Sequence, residues 1–188
     1  MDLYQGRIKV YRPKCGVKMR NEFVSGKLED QSALPKRIGF WYDRRFKLPG
    51  LSVSGTRAVM TAAFVLANQY CPIPFYRTRD ARSALIVLKL GPRSYFDGKG
   101  GTLAMADVRS LRDPAQREIW YDPDDVWRMH KAEDAAVYAL PVTAHELCHT
   151  LGFGHGKLGL MAPYYDPLVT TPTEQEVARF FQEYPELE

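Results

Sequence analysis

Cysteine is scarce in this chain, and what there is excludes a disulfide framework: Cys15, Cys71 and Cys148 are odd in number and widely spaced. No apolar run approaches the roughly 20 residues that cross a bilayer, so no membrane span is expected. The opening segment MDLYQGRIKV has an early acid and no continuous apolar stretch, and does not read as a secretory leader. Internal repeats, low-complexity tracts and a domain-splitting linker are also lacking. Charge of one sign is not in large excess: 26 Lys and Arg face 22 Asp and Glu, for a net charge of +4. The short run Arg44, Arg45 and Lys47, preceded by Asp43, reads as a solvated loop, and nucleic acid is set aside as a partner.

What is present suits one globular domain. At 188 residues, 45% hydrophobic and 26% charged, the chain can bury a core without cross-links. Residues 1–35 are polar and turn-rich, without sustained periodicity, and read as an extension laid over a domain spanning 36–188. KRIGFWY is strand-like and closes on the polar turn DRRFKLPG. Between Ser54 and Tyr70, apolar residues recur at helical spacing. CPIPFYR and SALIVLKLG are separated by the polar run Thr78 to Arg82, and the second suits a strand covered on both faces. FDGKGG is a tight loop before the strand-like TLAMADV, and the segment REIWYDPDD leads from another short strand into acidic ligands or a turn. A helix begins near Pro141 and stops at Gly152, and a last one begins at Thr173, where Thr173 and Glu176 form a capping-box pair.

The chain has four histidines, and three of them fall in one stretch. His145-Glu146-Leu147-Cys148-His149 puts two imidazoles one turn apart on the same helix face, where both reach a single ion. Gly152 lets the backbone turn sharply and bring His155 round as a third ligand. At this chain's own composition, the eleven-residue pattern from His145 to His155 would arise by chance on the order of once in 10⁵ such chains. Three nitrogens and an open fourth position describe a catalytic zinc rather than a closed structural one. Glu146 is placed to take a proton from water at that open position. The fourth histidine, His130, reads as an ordinary exposed residue.

These residues resemble the metzincins, and specifically the matrixins, the family of the matrix metalloproteinases. Gly159-Leu160-Met161-Ala162-Pro163-Tyr164-Tyr165 is similar to the matrixin Met-turn, which implies Met161 beneath the zinc and Pro163 and Tyr165 lining the pocket for the side chain after the cut. FDGKGGTLA and WYDPDD resemble the matrixin calcium segments. That likeness implies Asp97, Asp122 and Asp125 as calcium ligands, with carbonyls from Gly98, Gly100 and Thr102. Leu103 and Ala104 would then offer backbone groups to an extended protein or peptide substrate. Met105 and Trp120 stand where the family places histidines, so one zinc and no second, structural zinc is expected. Pro13-Lys14-Cys15-Gly16-Val17 resembles the matrixin cysteine switch, in which the Cys15 thiolate occupies the zinc and keeps the enzyme latent.

The resemblance implies an α+β, zincin-like fold, with a twisted, mostly parallel five-stranded sheet, an antiparallel edge strand, three helices and zinc in a cleft. The expected protein is a monomeric zinc endopeptidase that prefers an apolar residue after the cut, with an extracellular setting favoured by the family. Self-cleavage is expected between Cys15 and Lys36, with Ala33-Leu34 a candidate bond. Two other classes stay open: a non-catalytic binding protein with Cys15 as permanent fourth ligand, and a hydrolase of non-peptide substrates.

Overall fold

The computed structural model describes residues 14–15, 33–131 and 136–188. The rest of the expected 1–35 extension, the Cys15 thiol and the greater part of the expected self-cleavage segment lie outside the described residues. Strand β1 is Lys14–Cys15, β2 is Ile38–Trp41, helix α1 is Val53–Ala67, β3 is Phe75–Arg77, β4 is Ile86–Leu90, β5 is Thr102–Ala106 and β6 is Arg117–Tyr121. There follow β7, Trp127–Arg128, β8, Val137–Tyr138, helix α2, Ala139–Thr150, and helix α3, Glu174–Glu183.

One sheet has the order β1-β5-β6-β4-β2-β3, and β7 pairs with β8 apart from it. Every neighbour pair in the large sheet is parallel except β5 with β6. The mostly parallel sheet and three helices agree with the expected architecture. One feature differs: β1 adds a sixth strand, so β5, expected at the edge, has neighbours on both sides.

Alternation explains β2. Ile38, Phe40 and Tyr42 share one side, and Phe40 stacks on Phe64 of α1 with ring centres 3.8 Å apart. In β4, Ile86, Val87 and Leu88 are all buried, as a strand covered on both faces requires. Ile38, Ile86, Leu88 and Ile119 are at most 1% exposed. Each contributes roughly 1.5–3 kcal/mol by leaving water, enough for the sheet to fix the helices above it.

Helix α1 starts at an N-cap, Ser52, whose hydroxyl accepts from the Gly55 N–H. Helix α2 is buried on almost every side, as a helix wedged between α1, β5 and β6 must be. Thr143 anchors it: its hydroxyl donates to the Ala139 carbonyl and accepts from the Tyr121 hydroxyl of β6 at 3.2 Å. Pro141 falls in the first turn, where its missing N–H costs nothing.

Candidate metal centre

The last turns of α2 carry His145, Glu146 and His149, of which His145 is 6% exposed and the other two are fully buried. The helix stops at Gly152, whose φ of +98° is a conformation L side chains rarely adopt. The Gly152 N–H donates to the His149 carbonyl and the Phe153 N–H to the Cys148 carbonyl, a glycine-terminated helix end. The reversed chain then brings His155 back over the helix. An alanine Cβ at 152 would lie 2.8 Å from the Tyr184 hydroxyl. Gly152→Ala is therefore expected to destabilise the protein by about 2–3 kcal/mol, combining left-handed strain with displacement of that hydroxyl. Thermal unfolding should show Tm lower by roughly 5–10 °C.

The ligating ring nitrogens of His145, His149 and His155 all lie within 4.8 Å of one another, the only such group of three or more among the described residues. Two of the rings are oriented by backbone carbonyls. His145 Nδ1 is 2.5 Å from the Leu160 oxygen and His149 Nδ1 is 2.8 Å from that of Phe153. A carbonyl only accepts, so each Nδ1 carries the hydrogen and each neutral Nε2 keeps a lone pair. Burial pushes the His145 pKa down to about 4 and holds His149 well below the usual imidazole range, with His155 lowered by the same cause. All three rings are neutral at neutral pH, the form that binds metal.

A zinc ion fits these atoms. Two nitrogens about 2.05 Å from a tetrahedral zinc sit about 3.3 Å apart, and His149 Nε2 and His155 Nε2 are separated by 3.2 Å. His145 Nε2, buried, has no hydrogen-bond partner among the described residues. A bare lone pair in a dry site is costly unless a cation meets it.

Met161 is fully buried and the turn around it is held twice. Its carbonyl accepts from the Gly156 N–H at 2.8 Å. Its N–H donates to Glu176 Oε1 at 2.8 Å, while Glu176 Oε2 accepts from the Thr173 N–H at 2.6 Å. The Thr173 hydroxyl caps Glu176 in return, so the capping box legible in the sequence has a second task. Glu176 fastens α3 to the turn whose Leu160 carbonyl orients His145. Only the capping half of that arrangement has a local sequence signal.

Beside Glu146 an apolar slot opens between α2 and the 159–169 turn, lined by Leu103, Val142, Leu160, Ala162, Tyr165 and Val169 among others. The Tyr165 hydroxyl accepts from the Tyr138 N–H at 2.9 Å, which fixes its ring in the wall. Pro141 also lines the slot. Pro163 is half-buried and does not line it, because the turn directs Ala162 and Tyr165 inward instead. Ala104 is fully buried on β5, where its backbone pairs with Tyr121 of β6 and Cys15 of β1.

The acidic segments meet as well. Gly98 and Gly100 have φ of +93° and +76°, and Asp97 Oδ1 accepts from the Thr102 N–H at 2.5 Å. Asp125 Oδ1 accepts from the Gly100 N–H at 2.9 Å. Asp122 Oδ2 and Asp125 Oδ2 are buried without a hydrogen-bond partner among the described residues, and burial raises both carboxyl pKa values. The three aspartates do not gather as closely as the histidines, so carbonyls would have to complete an ion's shell. Met105 and Trp120 face each other across β5 and β6, with Tyr95 5.1 Å from the Trp120 ring centre. His130 is exposed, and Cys71 and Cys148 are buried free thiols.

Comparison with known proteins agrees with this geometry. The chain is 27% identical to Matrix metalloproteinase-19 of Mus musculus over 172 residues, which is 85% of this chain and 30% of that protein. With Matrix metalloproteinase-19 of Homo sapiens it shares 27% over 174 residues, 85% of the chain and 31% of that protein. It thus spans about three tenths of the length of these curated relatives. The matrixin family model matches residues 42–178, well over half of the sequence, and the chain belongs to the matrixin family.

Proposed function

We propose that this chain is a zinc-dependent endopeptidase whose metal is held by His145, His149 and His155. The observation that carries this reading is the buried His145 Nε2, without a hydrogen-bond partner among the described residues, in a group of three neutral imidazoles beside a buried glutamate and an apolar slot. When bound, zinc supplies Lewis acidity, which acidifies water and polarises a carbonyl. Glu146 takes a proton from the attacking water as the water oxygen bonds to the scissile carbon. It returns that proton to the amine as the C–N bond breaks. Leu103 and Ala104 on β5 align the peptide as an added strand, and the slot walled by Tyr165 takes an apolar side chain after the cut. Met161 forms an apolar floor for the metal.

Calcium bound by Asp97, Asp122 and Asp125 with the carbonyls of Gly98, Gly100 and Thr102 would satisfy the two buried carboxylate oxygens. Packing of Tyr95, Trp120 and Met105 replaces a second zinc.

Latency follows from Cys15. The pairing of β1 with β5 at Thr102 and Ala104 lays the backbone of Cys15 along the strand that substrate would use, which supports the thiolate as an internal zinc ligand. The second reading, a closed three-histidine, one-cysteine site in a binding protein, rests on the same pairing. Cys15→Ser separates them. The variant is expected to cut an apolar-rich peptide library at least about tenfold faster than the intact chain, whose thiol is a tethered competitor. Zinc binding without any cleavage by the variant would support the binding protein. Sequencing of the products should show an apolar residue after the cut.

A further inference from the structure

We propose that the sheet edge farthest from the metal centre binds a linear sulfated polysaccharide. Residues 36–82 hold nine Lys and Arg against only Asp43 and Asp80, a net +7 in a chain whose total is +4, so all the rest sums to −3. All nine cations are exposed. Neither acid neutralises the group. Asp80 accepts from the N–H groups of Arg82 and Ser83 and from the Ser83 hydroxyl. Asp43 pairs with Arg45 alone. Among the described residues, none of the other eight forms an ion pair.

The fold gathers residues that are distant in sequence. Arg77 on edge strand β3 donates to the Tyr42 carbonyl at 3.2 Å and lies 4.3 Å from the Tyr42 ring centre. Arg57 on α1 donates to the Arg44 carbonyl at 3.4 Å. Arg79 continues the chain from β3. Cations from a loop, a helix and an edge strand thus form one surface, with β2, β4 and β6 between it and β5.

The chemistry of the surface selects the ligand. Seven of the nine are arginines, whose planar fork grips sulfate or phosphate by two parallel hydrogen bonds. Single-stranded nucleic acid calls for open aromatic faces on which bases stack. Here Tyr42 is buried under Arg77, and Arg37 lies 4.4 Å above the Tyr76 ring. An anionic bilayer calls for an amphipathic helix with its apolar side outward, and α1 turns Val59, Met60, Ala63 and Phe64 into the core. A polymer carrying sulfates along its length needs neither and matches an exposed surface of arginines.

The test is anisotropy of a labelled heparin oligosaccharide titrated with the full chain at 0.15 M NaCl, roughly physiological ionic strength. Arg44→Glu/Arg79→Glu alters exposed side chains that make no ion pair among the described residues. Lys131→Glu/Arg179→Glu makes the same change in net charge elsewhere on the surface. The first pair is expected to weaken binding at least about tenfold and flatten its salt dependence, with cleavage of a short peptide unchanged. The second pair should shift binding less than about twofold. Equal losses in both pairs, no heparin binding by the wild type, or tighter binding of DNA of matched length would each overturn the proposal. Since peptide cleavage is read separately, on a Cys15→Ser background free of the tethered thiol, its absence would refute the peptidase reading and leave this one standing.

Discussion

Replacing Glu146 with glutamine is expected to lower kcat/KM by about 10²–10⁴-fold, the range in which a positioned acid/base acts. Zinc content should stay the same. The two outcomes belong together because Glu146 sits beside a ligand without being one. It is fully buried on α2, lines the apolar slot, and is absent from the histidine group. Glutamine preserves its size but cannot take up the proton of the attacking water. Elemental analysis of the purified variant measures the metal, and initial rates on a fluorogenic peptide measure the chemistry. A variant that keeps its zinc and cuts within tenfold of the wild type would sink Glu146 as the acid/base. One that loses the metal would instead make it a structural support.

The second large effect is expected at a residue far from any substrate. Glu176→Ala removes the acceptor of the Met161 N–H and half of the capping box at the start of α3. A buried N–H left unpaired costs about 1–3 kcal/mol and a lost cap about 1 kcal/mol. The sum is about 2–4 kcal/mol, seen as a Tm lower by roughly 5–15 °C. Because Met161 follows Leu160, whose carbonyl orients His145, zinc affinity in a chelator competition should also fall about 10-fold or more. Thr173→Ala is the comparison, since it deletes the cap and spares the bond to Met161. It should lose about 1 kcal/mol and leave zinc affinity intact. Equal effects on zinc in both variants would mean that α3 acts only through global stability.

These two residues mark how far the sequence could be read. His145, Glu146 and His149 were legible because a helix turns four residues into one face. Gly152 was legible because a sharp reversal needs a residue without a Cβ, and the pair Thr173 and Glu176 because caps are local. The bond from Glu176 to Met161 was not, since no short-range pattern encodes a contact between a helix start and a distant turn. The carbonyls of Leu160 and Phe153 were silent for the same reason: every residue has one, and only the folded backbone aims it. β1 has two residues, too few for any periodicity, so its pairing could not be foreseen. The exclusion of Pro163 from the slot depended on the path of a turn. Arginines at 44, 57 and 77 looked unrelated along the chain, and the sheet edge unites them. Arg117, at the start of β6, had no signal of its own, yet it is fully buried and donates to the carbonyls of Ser110 and Asp113.

The place of β1 beside β5 bears on self-association. The backbone of Thr102–Ala106 is a row of donors and acceptors carrying the apolar text TLAMA, and any chain in extended form can join such a row, another copy of this protein included. While residues 14–15 occupy it, that template is covered. Were those two residues removed, the seam would be bare, and only a bound extended peptide would then keep it from its own kind.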